Sequence, residues 1–336
     1  MSPAWIKDNR GVALILAVVF VVLLTVITFE YVYETNVDAA LVENYNAELE
    51  AYIAARSAIA NGFALLEADL LDDMEGGGGV YYDSLEDSWA YGVPYEALND
   101  AVMLCGIDDE YGKIPLNALL SPDGEEENLL VAEALRALFR MRGAEEDPVD
   151  NILDWMDPTG EGRFGGTGDQ YYTGLEVPYG AKRAPMDSVE ELLLVRGVTP
   201  EVYFGDPEAE QRPLHELVTV RGDPNGRINI NTARFEALEA FGEALDGELA
   251  MADVVIRERE NQPFQDEEDA QNRGVYAPRQ QPEDGAVTPI TVRSNVFRLT
   301  GDGIAGNVAV RIETHVFRGQ QGGPGNLRVL DWRVIR

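Results

Sequence analysis

From Val12 to Phe29 the chain reads VALILAVVFVVLLTVITF without one charged residue, entered through Lys7-Asp8-Asn9-Arg10-Gly11 and left through Glu30. A run of this kind is long enough to cross the hydrocarbon core of a bilayer as a helix, and ordinary buried helices rarely contain one. Two simple readings fit in part. A cleaved secretory signal ends in small residues on its far side, but here Phe29-Glu30-Tyr31-Val32-Tyr33 stand there, and the nearest small pair, Ala39-Ala40, lies too far on. A plain single-pass anchor fits the length. Lys7 and Arg10 before the run, against Glu30, Glu34 and Asp38 after it, place its N-terminus in the cytoplasm by the positive-inside rule.

A third reading comes from the residues beyond Phe29. Between Glu30 and Leu71 there is no Pro and a single Gly, Gly62, while Val37, Leu41, Tyr45, Leu49, Tyr52, Ile59, Phe63, Leu66 and Leu70 recur at helical steps. That is an amphipathic stripe. Joined to the apolar run, it predicts one helix from about Val12 to Leu71, on the order of 90 Å long. Asp72 to Glu75 and the glycines Gly76 to Gly79 end it, because four glycines carry too much backbone freedom to continue a helix.

The 336 residues, about 45% apolar, are enough for a sizeable core and more than one lobe. The formal charge of −34 speaks against nucleic acid and anionic membrane surfaces as partners, since both need basic patches. It suits divalent cations or a salty medium, or simply a well-hydrated surface. Cys105 is the single cysteine, so no intrachain disulfide forms, and its apolar neighbours make it a small core residue.

Along the chain, Val80 to Tyr82 and Trp89 to Tyr95 are aromatic and turn-rich. Ala101 to Ile107 predicts a strand, Tyr111-Gly112 a turn, and Lys113 to Leu116 a further extended segment before Asn117 to Leu120. The period then changes: Leu129, Leu130, Ala134, Leu135, Leu138 and Phe139 predict a helix with acids at Glu125 to Glu127 before it. A short helix from Val149 to Met156 precedes a Gly-, Asp- and Tyr-rich loop from Asp157 to Gly180. Asp187-Ser188-Val189-Glu190 then sets a cap with an acid three residues on, opening a helix that ends at Arg196-Gly197.

Arg227-Ile228-Asn229-Ile230-Asn231-Thr232-Ala233 leads into a helix from about Arg234 to Phe241, a hairpin at Gly242 to Gly247, and a helix from Glu248 to Asn261 before Pro263-Phe264. The pattern resembles helix-hairpin-helix modules, some of which grip DNA phosphates. Five Arg against twelve acids between Arg227 and Arg273 would repel a phosphate backbone, so the module reads as a protein-interaction or spacing lobe. After a linker from Gly274 to Pro289, Val308, Val310, Ile312 and Val316 alternate with Arg311, Glu313 and His315 as a strand with one buried face. Val296 to Thr300 and Leu327 to Val334 are its expected partners, with turns at Gly301 to Gly306 and Gly319 to Gly325.

Three strands alone have little to pack against, so the long helix and the Ala101 to Leu116 strands are expected to join them. The predicted fold is α+β: a long N-terminal transmembrane and amphipathic helix on an antiparallel sheet, with a large helical insertion that holds the helix-hairpin-helix-like lobe. The alternative is two independent domains. The expected boundaries are 1–11 leader, 12–75 helix with 12–29 in the membrane, 76–125 first part of the head, 126–285 insertion, and 286–336 closing strands.

No catalytic constellation emerges. His215 sits in a Pro-flanked turn and His315 on the solvent side of a strand, and neither has metal or triad spacing. Gly76 to Gly79 lacks the Lys-Ser/Thr of a phosphate loop, and no acidic pair stands in a recognisable hydrolase site. The strongest candidate for chemistry is the loop of Asp154, Asp157, Glu161 and Asp169. Carboxylates on a Gly-rich loop can wrap oxygens around a hard cation such as Ca²⁺. The plain alternative is a solvated acidic loop.

A basic leader ending in Gly11, an apolar run entered at Val12 and an unbroken amphipathic continuation resemble the type IV pilin and pseudopilin precursors. In that class a prepilin peptidase cuts after the Gly, here Gly11-Val12. Leu16 stands at the fifth mature position, where most members carry Glu, a departure that resembles the protein K family of minor pseudopilins in type II secretion. The stretch DEYGKIPLN (Asp109 to Asn117), DWMD (Asp154 to Asp157) through DQYY (Asp169 to Tyr172), MDSVEELLLVRGVTPEVY and ININ resemble that family in the same order.

The resemblance implies a non-enzymatic subunit at the tip of a pseudopilus, starting its assembly with other minor pseudopilins and in contact with the major pseudopilin. It implies an inner-membrane anchor with a periplasmic head, and contact with secreted substrate or the outer-membrane channel. It also implies structural calcium near Asp154, Asp157 and Asp169, although Thr159 stands where an Asp is usual and Gly168 where a Glu is usual; Glu161 could substitute. A minor pilin of a type IV pilus or competence system shares the anchor and is the alternative, with an anchored hydrolase more remote.

Overall fold

Helix α1 (Arg10–Glu75) is continuous over 66 residues, roughly 100 Å at 1.5 Å per residue, as the absence of Pro and the lone Gly62 predict. The structure is a computed structural model that describes residues 10–75, 81–121, 124, 126–144, 148–160, 162, 164–206, 211–279, 288–319 and 327–335. From Gly11 to Asn46 α1 stands clear of the rest of the chain, every residue exposed, and its apolar N-terminal part is long and hydrophobic enough to cross a membrane. Only its C-terminal part packs. There the buried stripe is Ala51, Ala54, Ala55, Ala58, Ile59, Leu66 and Leu70. Val37, Leu41, Tyr45 and Leu49, which the sequence places on the same stripe, remain exposed, because the sheet reaches only the last turns.

In chain order the head continues with β1 (Val93–Leu98), β2 (Ala101–Asp109) and β3 (Ile114–Pro115). The helices α2 (Leu129–Met141), α3 (Val149–Met156), α4 (Asp169–Thr173) and α5 (Pro200–Phe204) come after them, then β4 (Val218–Thr219) and β5 (Ile228–Asn229). Next come α6 (Phe235–Ala244), α7 (Ala252–Asn261) and α8 (Glu267–Asn272), then β6 (Ile290–Thr291), β7 (Val296–Ala305), β8 (Val308–Arg318), β9 (Leu327–Val329) and β10 (Arg333–Ile335). The main sheet has the order β1-β2-β7-β8-β10, with β9 also on β8, and all its pairings are antiparallel. Everything from Ile114 to Thr291 is inserted between β2 and β7, so the fold is α+β with a long helix on an antiparallel sheet and a helical insertion, as the sequence implies.

Small residues set how closely α1 lies on the sheet. A Cβ on Gly303 would fall 1.9 Å from the Ala51 carbonyl oxygen, and one on Gly301 would fall 2.7 Å from that of Ala55. Alanines face glycines, and backbone meets backbone. This corrects the sequence reading of Gly301 to Gly306 as a turn. β7 runs on to Ala305, and the reversal is the two-residue turn Gly306-Asn307 between Ala305 and Val308, with Gly306 at φ +55°. Glycine inside a strand here marks close approach of another backbone.

Three further expectations change. The closing segment Leu327 to Val334 is two short strands rather than one, divided at Leu330-Asp331-Trp332, where the Asp331 carboxylate accepts from the His315 amide (3.1 Å) and pairs with its ring Nδ1 (3.0 Å). His315 is therefore half-buried, not free on the solvent side. Residues Val189–Leu194 form a 3₁₀ rather than an α-helix, capped at Ser188, and the partner acid is Glu191, whose Oε1 accepts from the Ser188 amide (3.3 Å), instead of Glu190. The helix expected from Glu248 begins at Ala252, since Leu249 instead pairs with Tyr276.

Two apolar cores result. One joins α1 to the sheet around Trp89, Phe297 and Leu299; the other lies almost entirely within the insertion, around Leu135, Phe139, Leu238 and Phe241. Cys105 belongs to the first, and burial pushes its thiol up to about 12, consistent with an inert packing role.

Candidate metal loop and the buried seam

The loop that the sequence singles out is positioned by α3. Pro148 precedes the helix, and its last turn and cap carry Asp154 and Asp157, while Asp169 opens α4. Asp157 is fully buried and accepts from the Thr159 amide (3.0 Å) and hydroxyl (2.7 Å), so Thr159 caps the carboxylate instead of adding another. Asp154 is 5% exposed. Its Oδ1 accepts from the Phe164 amide at 3.1 Å, whereas its Oδ2 is buried with no hydrogen-bond partner among the described residues. Burial raises its carboxyl above the usual range, partly offset by backbone amides. Asp169 is engaged differently: Oδ1 accepts from the Ala181 amide (3.2 Å), and Oδ2 pairs with Arg183. Glu161 lies outside the described residues.

Further along, the loop is fastened by ordinary contacts. The Asn151 side-chain Oδ1 accepts from the Thr167 amide (2.9 Å) and hydroxyl (2.6 Å), while its Nδ2 donates to the Arg196 carbonyl (3.2 Å). Beneath it Trp155, Tyr172 and Tyr179 stack edge-on or tilted, with centroids 5.2 to 6.2 Å apart. The orphaned Asp154 oxygen beside buried Asp157 fits an oxygen-seeking cation such as Ca²⁺; Asp169, held by Arg183, does not complete that pair. Among the described residues, the acids whose oxygens gather in a set of three within 4.8 Å are Asp69, Asp83 and Asp87.

That other group belongs to a buried polar seam between α1, the sheet and the insertion. Arg318, at the end of β8 and fully buried, pairs with Asp69 of α1 (2.9 Å), with Asp83, and with the Tyr81 hydroxyl (2.5 Å). Its guanidinium also lies 4.5 Å from the Phe297 ring centroid. The Arg318 cation thus already pairs with two of the three acids of that cluster. Burial pushes Asp69 up to about 7 despite the neighbouring guanidinium.

A second node is Asp109, whose Oδ2 accepts from Asn229 Nδ2 (3.1 Å), Thr232 Oγ1 (2.5 Å) and Ser294 Oγ (2.6 Å); burial pushes its carboxyl up to about 6. A third is Glu110, paired with Lys113 and accepting from Thr219, both partners buried. Burial works against its charge, but Lys113 and Arg298 outweigh it and hold the carboxyl below the usual range. Arg259 of α7 donates to the Ile230 and Ala233 carbonyls (2.9 and 2.7 Å), so the helix-hairpin-helix-like lobe turns this arginine inward onto its own chain.

Sequence reasoning did not single out Arg318, Asp69, Asp83, Asp109 or Asn229 as a set. The signal was present in part, because DEYGKIPLN and ININ hold Asp109, Glu110, Lys113, Asn229 and Asn231, all buried. Buried polar residues gathered from distant stretches announce nothing by local period.

Gly11 and Val12 lie at the very start of α1, and Leu16 is exposed about one turn further on. A family model described as type II secretion system protein K, first domain, matches residues 112–204. No curated protein sequence matches the chain significantly. Among solved structures, a chain of the GspK-GspI-GspJ complex from the type 2 secretion system of enterotoxigenic Escherichia coli shares the fold at TM-score 0.62 and 19% identity, covering 89% of this chain and 99% of its own. The chain thus resembles type II secretion system protein K by sequence within residues 112–204, and it shares the fold of the chain solved in that complex over most of its length.

Proposed function

We propose that the protein is a non-enzymatic minor pseudopilin that caps the tip of a type II secretion pseudopilus. The observation that carries this reading is α1: exposed and apolar at one end, packed under a large head at the other, in the fold of a chain solved within a GspK-GspI-GspJ complex. Before assembly the apolar part anchors the chain in the inner membrane, with the leader in the cytoplasm and the head in the periplasm. Prepilin peptidase cuts Gly11-Val12, and the freed helix then packs against the equivalent helices of two other minor pseudopilins and the major pseudopilin. The insertion widens the head beyond the sheet, and that bulk would hinder stacking of another subunit above it. Exposed in this way, the head is where secreted substrates and the outer-membrane channel would meet the filament.

Calcium in the Asp154 and Asp157 pocket would be structural, tying the loop after α3 to the helical lobe. Its supporting observation is the buried, unpartnered Asp154 oxygen. No nucleic acid enters this reading, given the charge of −34.

The test is co-purification of the full-length protein from detergent-solubilised membranes with minor pseudopilins of its own cell, followed by N-terminal sequencing. A three-protein complex and a mature terminus at Val12 are expected. A terminus at Met1 or near Leu41, or a protein that never joins the pair, would overturn the assignment.

A further inference from the structure

Residues 327–335 lie along the outer edge of β8. β9 sets Leu327, Arg328 and Val329 beside Arg318, Phe317 and Val316, and β10 sets Arg333, Val334 and Ile335 beside Glu313, Ile312 and Arg311. Together they cover most of the length of β8, yet they bury almost nothing. None of the nine residues is buried and six are exposed, Trp332, Val334 and Ile335 showing 41%, 37% and 42% of their surface. Of this stretch only Leu327, half-buried, packs against the core under α1.

Burial of apolar surface is what usually offsets the entropy lost when a segment is ordered. Here main-chain hydrogen bonds to β8 supply most of the compensation. β8 itself is held differently: Val310, Ile312, Thr314, Val316 and Arg318 are buried, and β7 pairs with it from Val308 to Phe317. Local opening follows such contrasts in burial.

Between β9 and β10 the side-chain contacts converge on one residue. The Asp331 carboxylate accepts from the His315 amide (3.1 Å) and pairs with His315 Nδ1 (3.0 Å), while the Asp331 carbonyl accepts from the hydroxyl of buried Thr314 (2.7 Å). The neighbouring Leu330 amide donates to the His315 carbonyl at 2.8 Å. Arg221, just after β4, lies 3.5 Å from the same carboxylate, so Asp331 ties the stretch to the insertion as well as to the sheet. Asp331, Trp332 and Arg333 also form one wall of a cleft of about 540 Å³ between β8 and the insertion.

We infer that residues 327–335 form a displaceable strap, latched through Asp331, which opens as a unit from β10 towards Leu327 while β7 and β8 stay paired. Opening uncovers the edge of β8 and the cleft beside it. The latch acts in two places at once: release from His315 frees the strap from the sheet, and release from Arg221 removes an ionic tie between the sheet and the insertion. The inference does not rest on the pseudopilus reading, because the strap can be followed in the isolated chain.

Hydrogen exchange of the full chain in detergent micelles, read by mass spectrometry, tests this. Amides of 327–335 should exchange at least about a hundredfold faster than those of Val296–Ala305, at a rate that low urea leaves unchanged, because local opening exposes little surface. Asp331→Ala should speed exchange in the strap about tenfold or more and leave β7 as it was. Glu313 and Arg333 face each other across β8 and β10, at a spacing that a disulfide spans. In a variant carrying Glu313→Cys and Arg333→Cys, oxidation should slow the strap and a reductant should restore it; Cys105 is buried and takes no part. A strap as protected as β7, a strap indifferent to Asp331→Ala, or an oxidised pair that exchanges like the reduced one would each overturn the inference. So would Asp331→Ala speeding β7 as much as the strap, since Asp331 would then hold the whole sheet and not a latch. Should that variant not accumulate as folded protein, the oxidised and reduced cysteine pair carries the test.

Discussion

At the scale of single residues, Arg318 bears the heaviest electrostatic duty. Its guanidinium is fully buried and joins Asp69 at the end of α1, Asp83 on the segment leading to β1, and the Tyr81 hydroxyl. Removing one member of a buried pair strands the other charge, typically at about 3–5 kcal/mol. Arg318→Met should therefore destabilise the protein by that order, whereas Arg318→Met combined with Asp83→Leu should recover part of the loss; denaturant unfolding in detergent reads both. Asp69 adds a pH signature. Its carboxyl is raised from 3.8 to about 7, so between those values the folded state holds a proton that the unfolded state has released. The free energy of unfolding contributed by this group is then full below about pH 4 and is lost as pH rises towards 7. Asp69→Asn should flatten that part of the stability profile, and an unchanged slope would show that the group titrates normally.

At the scale of elements, the long helix was legible in the sequence because it needs only local information: an apolar run, a 3.6-residue stripe and no breaker until Gly76. Helices α2 and α3 were legible for the same reason, and α2 gains a cap where Asn128 accepts from the Val131 amide. β1 was not legible, since four of its six residues are exposed and it shows no alternation. Gly301 and Gly303 misled for a deeper reason. Glycine in sequence signals a turn, but these two exist to admit α1, which lies far away in the chain. Gly303→Val should push α1 off the sheet, because the new Cβ would collide with the Ala51 carbonyl rather than with a movable side chain. Overpacking usually costs about 1–3 kcal/mol, occasionally more, and a rigid backbone contact belongs at the upper end. Faster hydrogen exchange over Ala51 to Leu66 than in the parent protein is the expected observation. The candidate loop was legible only as composition; that Asp169 answers to Arg183 while Asp154 keeps a free oxygen depends on how the chain returns at Arg183.

Across the whole molecule, two apolar cores meet through polar groups rather than through a shared apolar interior. Asp109 is the clearest joint: it ends β2 yet accepts three hydrogen bonds from residues of ININ, of the turn after it and of the segment entering β7. Such a seam transmits stability only while it is intact. A cation at Asp154 and Asp157 would bind folded insertion and not unfolded chain, contributing about 2.7 kcal/mol at a hundred times its Kd. Through the seam, that gain should also reach α1 and the sheet. Hydrogen exchange with and without calcium can follow both cores in the full chain. In the parent protein, protection should rise in α2 and α3 and also in the buried part of α1. Asp154→Asn should abolish both gains. Asp109→Ala, which takes the shared acceptor away from Asn229, Thr232, Ser294 and the Tyr111 amide, should keep the gain in α2 and α3 but lose it in α1. No response to calcium anywhere would dismiss the ion, and an equal gain in both cores of Asp109→Ala would dismiss the seam as the coupling.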